Sequence, residues 1–87
     1  MEEMCKFNLS DEQIEYIQRF YADELIVQNV FKCRYGNEFI VSVDNKIDFM
    51  DFIEDMYAID GVDKHGEPTS DGYMLEEIRD SIYAQTN

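Results

Sequence analysis

The segment DNKIDFMDFIEDMY, residues 44–57, constrains the fold more than any other stretch of this sequence. Aspartates recur in it at steps of four, three and four residues, which at about 100° per residue places them within about 60° of one another on a helix. Apolar side chains gather on the opposite side. The segment therefore predicts a helix with one buried and one charged face. The aspartates, named the aspartate stripe, are Asp44, Asp48, Asp51 and Asp55, and the apolar side chains are Phe49, Met50, Ile53, Met56 and Tyr57.

The aspartate stripe is costly for an isolated helix. Each pair of like charges three or four residues apart destabilises a helix by about 0.2–0.5 kcal/mol. No lysine or arginine lies four residues from a stripe aspartate to offset this repulsion. A solvated surface explains any one of these residues, whereas the set is interpreted as one row of an interaction surface.

The charge balance of the whole chain indicates the kind of partner. The 87 residues, predicted to form a single compact domain over 1–87, include 20 acidic and 7 basic side chains, for a formal charge of −13. Residues 44–80 hold 12 of the acids and three of the basic residues. Such a field repels nucleic acid and anionic membranes and attracts a basic protein. We therefore expect a basic protein partner, with no direct nucleic-acid binding and no membrane binding.

The first half of the chain predicts a helix followed by a hairpin. Ser10-Asp11-Glu12-Gln13 is a capping-box pattern, which predicts a helix from there to about residue 25. The runs VQNVFKCRY (27–35) and EFIVSV (38–43) are rich in β-branched and aromatic residues and flank Gly36-Asn37, so they predict a β-hairpin. MCKFNL, residues 4–9, is a candidate third, edge strand.

Side-chain parity favours a three-residue loop, Gly36-Asn37-Glu38, or a longer loop with an odd number of residues, in this hairpin. That loop pairs Tyr35 with Phe39 and gathers the apolar side chains on one face, whereas a two-residue loop would pair Tyr35 with Glu38. We therefore expect the three-residue loop, with Asn37 and Glu38 projecting at its tip.

Two helices complete the predicted fold. The acidic helix is expected to begin at a cap formed by Asp44 or Asn45 and to end near Gly61, in the left-handed position that glycine favours. A turn-rich segment over 60–72 leads to a last helix, Asp71–Tyr83, with Leu75, Ile78 and Ile82 on its core side. The fold class is therefore α+β, with a helix, an antiparallel hairpin and two helices packed on one face of the sheet.

Patterns for catalysis and for cofactor binding are absent from the sequence. The single histidine, His65, lies in a turn-rich segment with no nucleophile placed beside it. Cys5 and Cys33 form no C-x-x-C pair, and DGVDKHGEPTSDG lacks the alternating ligands of a calcium loop. We predict no enzyme activity, no cofactor and no metal. Without a long apolar run or a signal-peptide pattern, we expect a cytoplasmic protein.

The element order, length and acidity, together with the hairpin Gly36-Asn37-Glu38-Phe39-Ile40, resemble the small phage-encoded anti-CRISPR inhibitors of the type II CRISPR effector nuclease. The resemblance implies that acidic residues of the hairpin loop and the helices occupy the basic cleft that would otherwise read the PAM duplex. Arginines of such clefts contact guanines, and carboxylates form bidentate pairs with the same guanidinium groups. The resemblance also implies that the protein acts in the cytoplasm of a host bacterial cell.

Two functions remain open from the sequence. The first is an inhibitor that mimics nucleic acid in the basic cleft of a CRISPR effector nuclease. The alternative is an acidic immunity protein, antitoxin or adaptor that covers a basic partner, with Tyr57 or Tyr73 as aromatic anchors. Either function suits a monomer or a small homo-oligomer. The predicted partner-binding residues are Asn37, Glu38, Asp44, Asp48, Asp51, Asp55, Asp60, Asp63, Glu67, Asp71, Glu76 and Asp80.

Overall fold

A computed structural model describes residues 3–86, and these residues form a small antiparallel sheet and four helices. The fold is α+β, with the element order that the sequence predicts and one further helix before the hairpin. The predicted edge strand over MCKFNL is confirmed. In chain order the elements are β1 (Met4–Asn8), α1 (Asp11–Tyr21), α2 (Leu25–Phe31), β2 (Arg34–Tyr35), β3 (Glu38–Ser42), α3 (Val43–Asp60) and α4 (Ser70–Thr86).

The sheet has the strand order β1-β3-β2, so that β3 lies in the centre. Phe7 and Phe39 are paired across β1 and β3, and their rings stack with centroids 5.2 Å apart. The alternate pair, Lys6 and Ile40, is exposed on the other face. Buried and exposed pairs thus alternate along the strands, and the buried face of the sheet lies against the helices, as expected of a half-buried antiparallel sheet.

The core lies between this face and the helices. Phe49 and Ile53 of α3 are fully buried in it, as predicted. The predicted core residues of α4 are buried with them, namely Leu75, Ile78 and Ile82. Packing is more extensive between α3 and α4 than between any other two elements.

Helix α1 begins as its sequence predicts. The Ser10 hydroxyl accepts a hydrogen bond from the Gln13 backbone N–H at 3.1 Å, and the Gln13 side-chain oxygen accepts one from the Ser10 N–H at 2.9 Å. The capping box is therefore complete. The helix ends at Tyr21, however, four residues before the predicted end.

Residues 25–31 form helix α2, so the predicted strand over 27–35 is wrong except at Arg34–Tyr35. Val27 and Val30 are buried, and half-buried Phe31 follows Val27 by four residues, which is helical spacing. β-branched side chains favour a strand only weakly, and the burial of one helical face outweighs that preference here. Phe31 still meets Phe39, with ring centroids 5.1 Å apart, but it does so from a helix.

The loop between β2 and β3 has two residues, so the predicted three-residue loop is wrong. Tyr35 pairs with Glu38, and Arg34 pairs with Phe39. Gly36 has φ +64° and Asn37 a negative φ, which matches a type II′ turn. Side-chain parity does not set the loop length here, because residues 25–31 are helical and present no strand face to match.

Both predictions about the ends of α3 need correction. Ser42 is the N-cap, since its hydroxyl accepts a hydrogen bond from the Asn45 N–H at 3.1 Å, so neither Asp44 nor Asn45 caps the helix. Gly61 follows the last residue, but its φ is −91° and not left-handed. Glycine is needed at Gly61 because a Cβ there would lie 2.6 Å from the Tyr57 carbonyl oxygen and 3.0 Å from Gly72 Cα. Gly72 of α4 is needed for the same close approach, since a Cβ on it would overlap the carbonyl group of Gly61.

Candidate acidic interaction surface

The aspartate stripe lies on the exposed face of α3. All four of its side chains are exposed, opposite the buried Phe49 and Ile53. Within the described part of the chain, none of the four carboxylates has a hydrogen-bond or ion-pair partner, whereas ion pairs join Lys6 to Glu38 and Arg79 to Asp80. The stripe is thus a row of carboxylates free to accept hydrogen bonds from a partner.

Further carboxylates line a groove between α1 and α4, named the α1–α4 groove. A cavity of about 590 Å³ forms one part of it. A second cavity, of about 290 Å³, contains Tyr16 and Phe20 in its wall. The first is lined by Gln13, Tyr73, Glu76, Glu77, Asp80 and Ser81, and the second by Glu12, Glu15, Tyr16, Arg19, Phe20 and Met74. Five of these residues are acidic and one is basic, so the groove suits a cationic ligand.

The groove continues into a third cavity, also of about 290 Å³, which shares Tyr16 and Phe20 with the second. It is named the tyrosine pocket and is lined by Tyr16, Phe20, Tyr21, Asp60 and Asp71. The end of α3 contributes Asp60, and the first turn of α4 contributes Asp71. Residues eleven apart in the sequence thus meet at one site.

Tyrosine hydroxyls fix both carboxylates of this pocket. The Tyr16 hydroxyl donates to Asp71 Oδ1 at 3.1 Å, and the Tyr21 hydroxyl donates to Asp60 Oδ2 at 3.2 Å. Burial, followed by the neighbouring Tyr21 and Asp71, raises the pKa of Tyr16 well above its usual range. Burial is also the main cause that raises the pKa of Tyr21. Both hydroxyls therefore stay protonated at neutral pH and remain donors.

Asp63 and Glu67 lie in the loop between α3 and α4, where Asp63 has a structural role. Its Oδ1 accepts hydrogen bonds from the backbone N–H of His65 at 2.8 Å and of Glu67 at 3.0 Å. One carboxylate oxygen thus organises the turn. The Glu67 side chain is exposed.

Asn37 and Glu38, the predicted residues of the hairpin tip, are engaged within the chain. The Asn37 amide donates to the Leu9 carbonyl at 2.9 Å and to Asp11 Oδ1 at 2.8 Å. Glu38 lies 3.8 Å from the Lys6 amine. Their part in partner binding stays a prediction, but their side chains already serve to join the turn to α1 and β1.

Several groove residues were missed by the sequence interpretation, above all Tyr16, Tyr21 and Glu77. The Gln13 amide donates to Glu77 Oε1 at 3.1 Å, which ties α1 to α4. The signal available was the spacing of Tyr16 and Phe20, four residues apart at the border of the apolar face of α1. That spacing does not show which element α1 packs against.

Other kinds of site find less support in the described residues. Among them, no group of three or more His, Cys, Asp or Glu side chains is arranged to hold a metal ion. Cys5 and Cys33 are half-buried free thiols, and burial raises the pKa of Cys5 against the opposing effect of Lys46. None of the helices within residues 3–86 combines the length and apolar character needed to cross a bilayer.

The fold and its charges define a small α+β domain whose helices carry an acidic surface. The stripe on α3 and the α1–α4 groove are the two parts of that surface. Comparisons of the chain with protein-family models, with the curated proteins and with the solved structures found no match.

Proposed function

We propose that this chain is an acidic inhibitor protein that occupies the basic nucleic-acid-binding cleft of a partner nuclease, acting as a mimic of the nucleic acid. The observation that carries the proposal is the aspartate stripe, four exposed carboxylates without a partner in the described part of the chain. Phe49 and Ile53 anchor the helix in the core, so the charges are positioned before binding. Such pre-organisation reduces the ordering cost of association.

The spacing of the charges supports a mimic built from more than one helix. At a rise of about 1.5 Å per residue, the stripe presents one charge per roughly 5.5 Å of helix. One strand of DNA presents a charge about every 3.4 Å of helix axis. Since α4 packs against α3 and carries Glu76, Glu77 and Asp80, the mimic that we propose uses carboxylates of both helices.

The particular partner that we propose is a type II CRISPR effector nuclease in the bacterial cytoplasm. Its PAM-reading arginines are natural partners for carboxylates, which they bind in bidentate pairs. Because Asn37 and Glu38 already have contacts within the chain, α3 and α4 lead the contact in this proposal. The inhibitor acts by binding alone, without a cofactor, a catalytic step or direct binding to nucleic acid, as a monomer or a small homo-oligomer.

Competition with DNA tests this function. The test variant is Asp48→Asn/Asp51→Asn/Asp55→Asn, which keeps Asp44 in the first turn of α3. Binding to purified CRISPR effector complexes is measured with and without pre-bound target DNA, at low and at high salt. We expect pre-bound DNA to block binding and the variant to bind at least tenfold more weakly, given about 1.5–3 kcal/mol for a single charged hydrogen bond.

A matched control distinguishes the effect of losing the stripe charges from the effect of lowering the net charge. Glu3→Gln/Asp23→Asn/Glu24→Gln removes the same number of charges from exposed positions outside α3 and α4. This control is expected to retain most of the affinity. Equal affinity of wild type and the stripe variant, or binding unaffected by pre-bound DNA, would contradict the mimic.

The α1–α4 groove favours a second function, that of an immunity protein, antitoxin or adaptor for a basic partner protein. Tyr73 and Phe20 lie in the groove with 64% and 55% of their surfaces exposed. Exposed aromatic side chains beside carboxylates are typical anchors of protein interfaces. This function predicts that Tyr73→Ala weakens partner binding more than the stripe variant does, and that DNA does not compete.

A further inference from the structure

The tyrosine pocket combines aromatic rings and carboxylates in a cavity of about 290 Å³. Pockets for whole small molecules measure about 300–1,000 Å³, so this one has room for the end of a single side chain. Among the described residues, no lysine or arginine lines it. No positively charged side chain in the pocket wall therefore neutralises Asp60 and Asp71.

The carboxylates of the pocket can still accept hydrogen bonds. Asp71 receives the hydroxyl of Tyr16, and Asp60 receives that of Tyr21. An ionised carboxylate offers about four acceptor positions on its two oxygens. Acceptor positions thus remain on the carboxylates of both Asp60 and Asp71. The hydrogen bonds from the tyrosines restrict how these carboxylates rotate.

The aromatic wall favours a planar cation. The guanidinium of Arg19 already lies over the Phe20 ring, with Cζ 5.4 Å from the centroid. The rings of Tyr16 and Phe20 are adjacent, with centroids 5.0 Å apart. A guanidinium can stack on such rings while its N–H groups reach a carboxylate, whereas an ammonium is a compact and strongly hydrated charge.

We propose that the tyrosine pocket binds the guanidinium group of an arginine side chain of the partner protein. The group stacks against Tyr16 and Phe20 and donates hydrogen bonds to Asp60 and Asp71. The source of the arginine rests on the proposed function, but the chemistry of the pocket does not. A metal ion fits less well, because no group of three metal-ligating side chains occurs among the described residues.

Titration of the ¹⁵N-labelled protein with N-acetyl-arginine N-methylamide tests the pocket without the partner. Backbone amide shifts recorded by NMR are expected to saturate and to centre on Tyr16, Tyr21, Asp60 and Asp71. The corresponding lysine compound is expected to bind about fivefold more weakly, since it lacks the planar fork and the stacking surface.

Variants define the contacts. Asp60→Asn/Asp71→Asn keeps acceptors for the tyrosine hydroxyls but removes both charges, and we expect it to bind the arginine compound about tenfold more weakly. Phe20→Leu, at an exposed position, is expected to remove the preference for arginine over lysine. Uniform shifts that do not saturate, or affinity unchanged in the double variant, would overturn the proposal.

The control Asp48→Asn/Asp51→Asn removes the same charge from the aspartate stripe and is expected to leave binding of the arginine compound unchanged. Thermal unfolding verifies that each variant is folded. If the pocket binds arginine but the stripe variants bind the nuclease normally, the proposed mimicry is wrong and the assignment of the tyrosine pocket is supported. If the stripe is required for nuclease binding but the pocket ignores arginine, only the pocket assignment fails.

Discussion

Replacing Asp51 should stabilise the fold while it weakens partner binding. On α3 this residue has three acidic neighbours at helical spacing, Asp48, Glu54 and Asp55, and all four side chains are exposed. Each like-charge pair costs about 0.2–0.5 kcal/mol. Asp51→Asn removes three such pairs, which corresponds to a gain of about 1 kcal/mol. Asp51→Lys converts them to attractions, for a gain of about 2 kcal/mol.

Urea unfolding followed by circular dichroism measures these gains directly, and thermal unfolding provides a second measure. For a domain of this size, the gains correspond to increases in Tm of about 5 °C for Asp51→Asn and about 10 °C for Asp51→Lys. The gains should shrink in 1 M salt, where the Debye length is about 3 Å. Asp23→Asn, in the turn between α1 and α2, removes one charge outside any helix and serves as the control.

The outcome that refutes this reasoning is a Lys variant no more stable than wild type, or a gain that is independent of salt. Either result means that the stripe charges do not repel one another on a common helical face. A gain in stability combined with lost partner affinity is the behaviour expected of a site selected for binding.

Three further predictions concern the fold. Gly72→Ala should lower the free energy of unfolding by about 2 kcal/mol in urea titrations, because overlap with Gly61 outweighs the gain in helix propensity of about 1 kcal/mol; equal or higher stability contradicts the close approach of α3 and α4. Ser10→Ala should cost about 1 kcal/mol in the same assay and Ser10→Gly only a few tenths, since the cap accepts the bond from the Gln13 N–H. Because Tyr16 has a raised pKa in the folded state, its contribution to stability is present below about pH 10 and is lost as the pH rises. Tyr16→Phe should therefore flatten the alkaline decline in stability, whereas Tyr35→Phe, 87% exposed, should not.

The sequence predicted those elements whose signals are local and agree with one another. Helix α1 combines helical periodicity with the capping box at Ser10, and α3 has the two-sided pattern alone, since its predicted cap was wrong; both helices form. Helix α2 was missed because its β-branched residues favour a strand, while Val27, Val30 and Phe31 also fit a helical face. A short apolar run with conflicting signals is decided by the packing around it, which no local pattern contains.

The same distinction between local sequence signals and packing between elements applies to the candidate site. Exposure of the aspartate stripe follows from the periodicity of α3 alone, and the structure confirms it. The tyrosine pocket depends on three elements meeting, since α1 contributes its rings and the ends of α3 and α4 contribute Asp60 and Asp71. Local sequence patterns do not predict contacts between residues so far apart in the chain. Tyr16 and Asp71 are separated by 55 positions, and Tyr21 and Asp60 by 39.

The sign of the stripe's charge is not determined by the fold. Packing of α3 requires apolar side chains at Phe49 and Ile53 and any polar side chains on the opposite face. Asparagine or glutamine at the stripe positions would satisfy that requirement without any repulsion between like charges. Four aspartates instead reduce helix stability and leave their charges without partners in the described chain. In the proposed function, a partner whose positive charges meet the stripe offsets this cost.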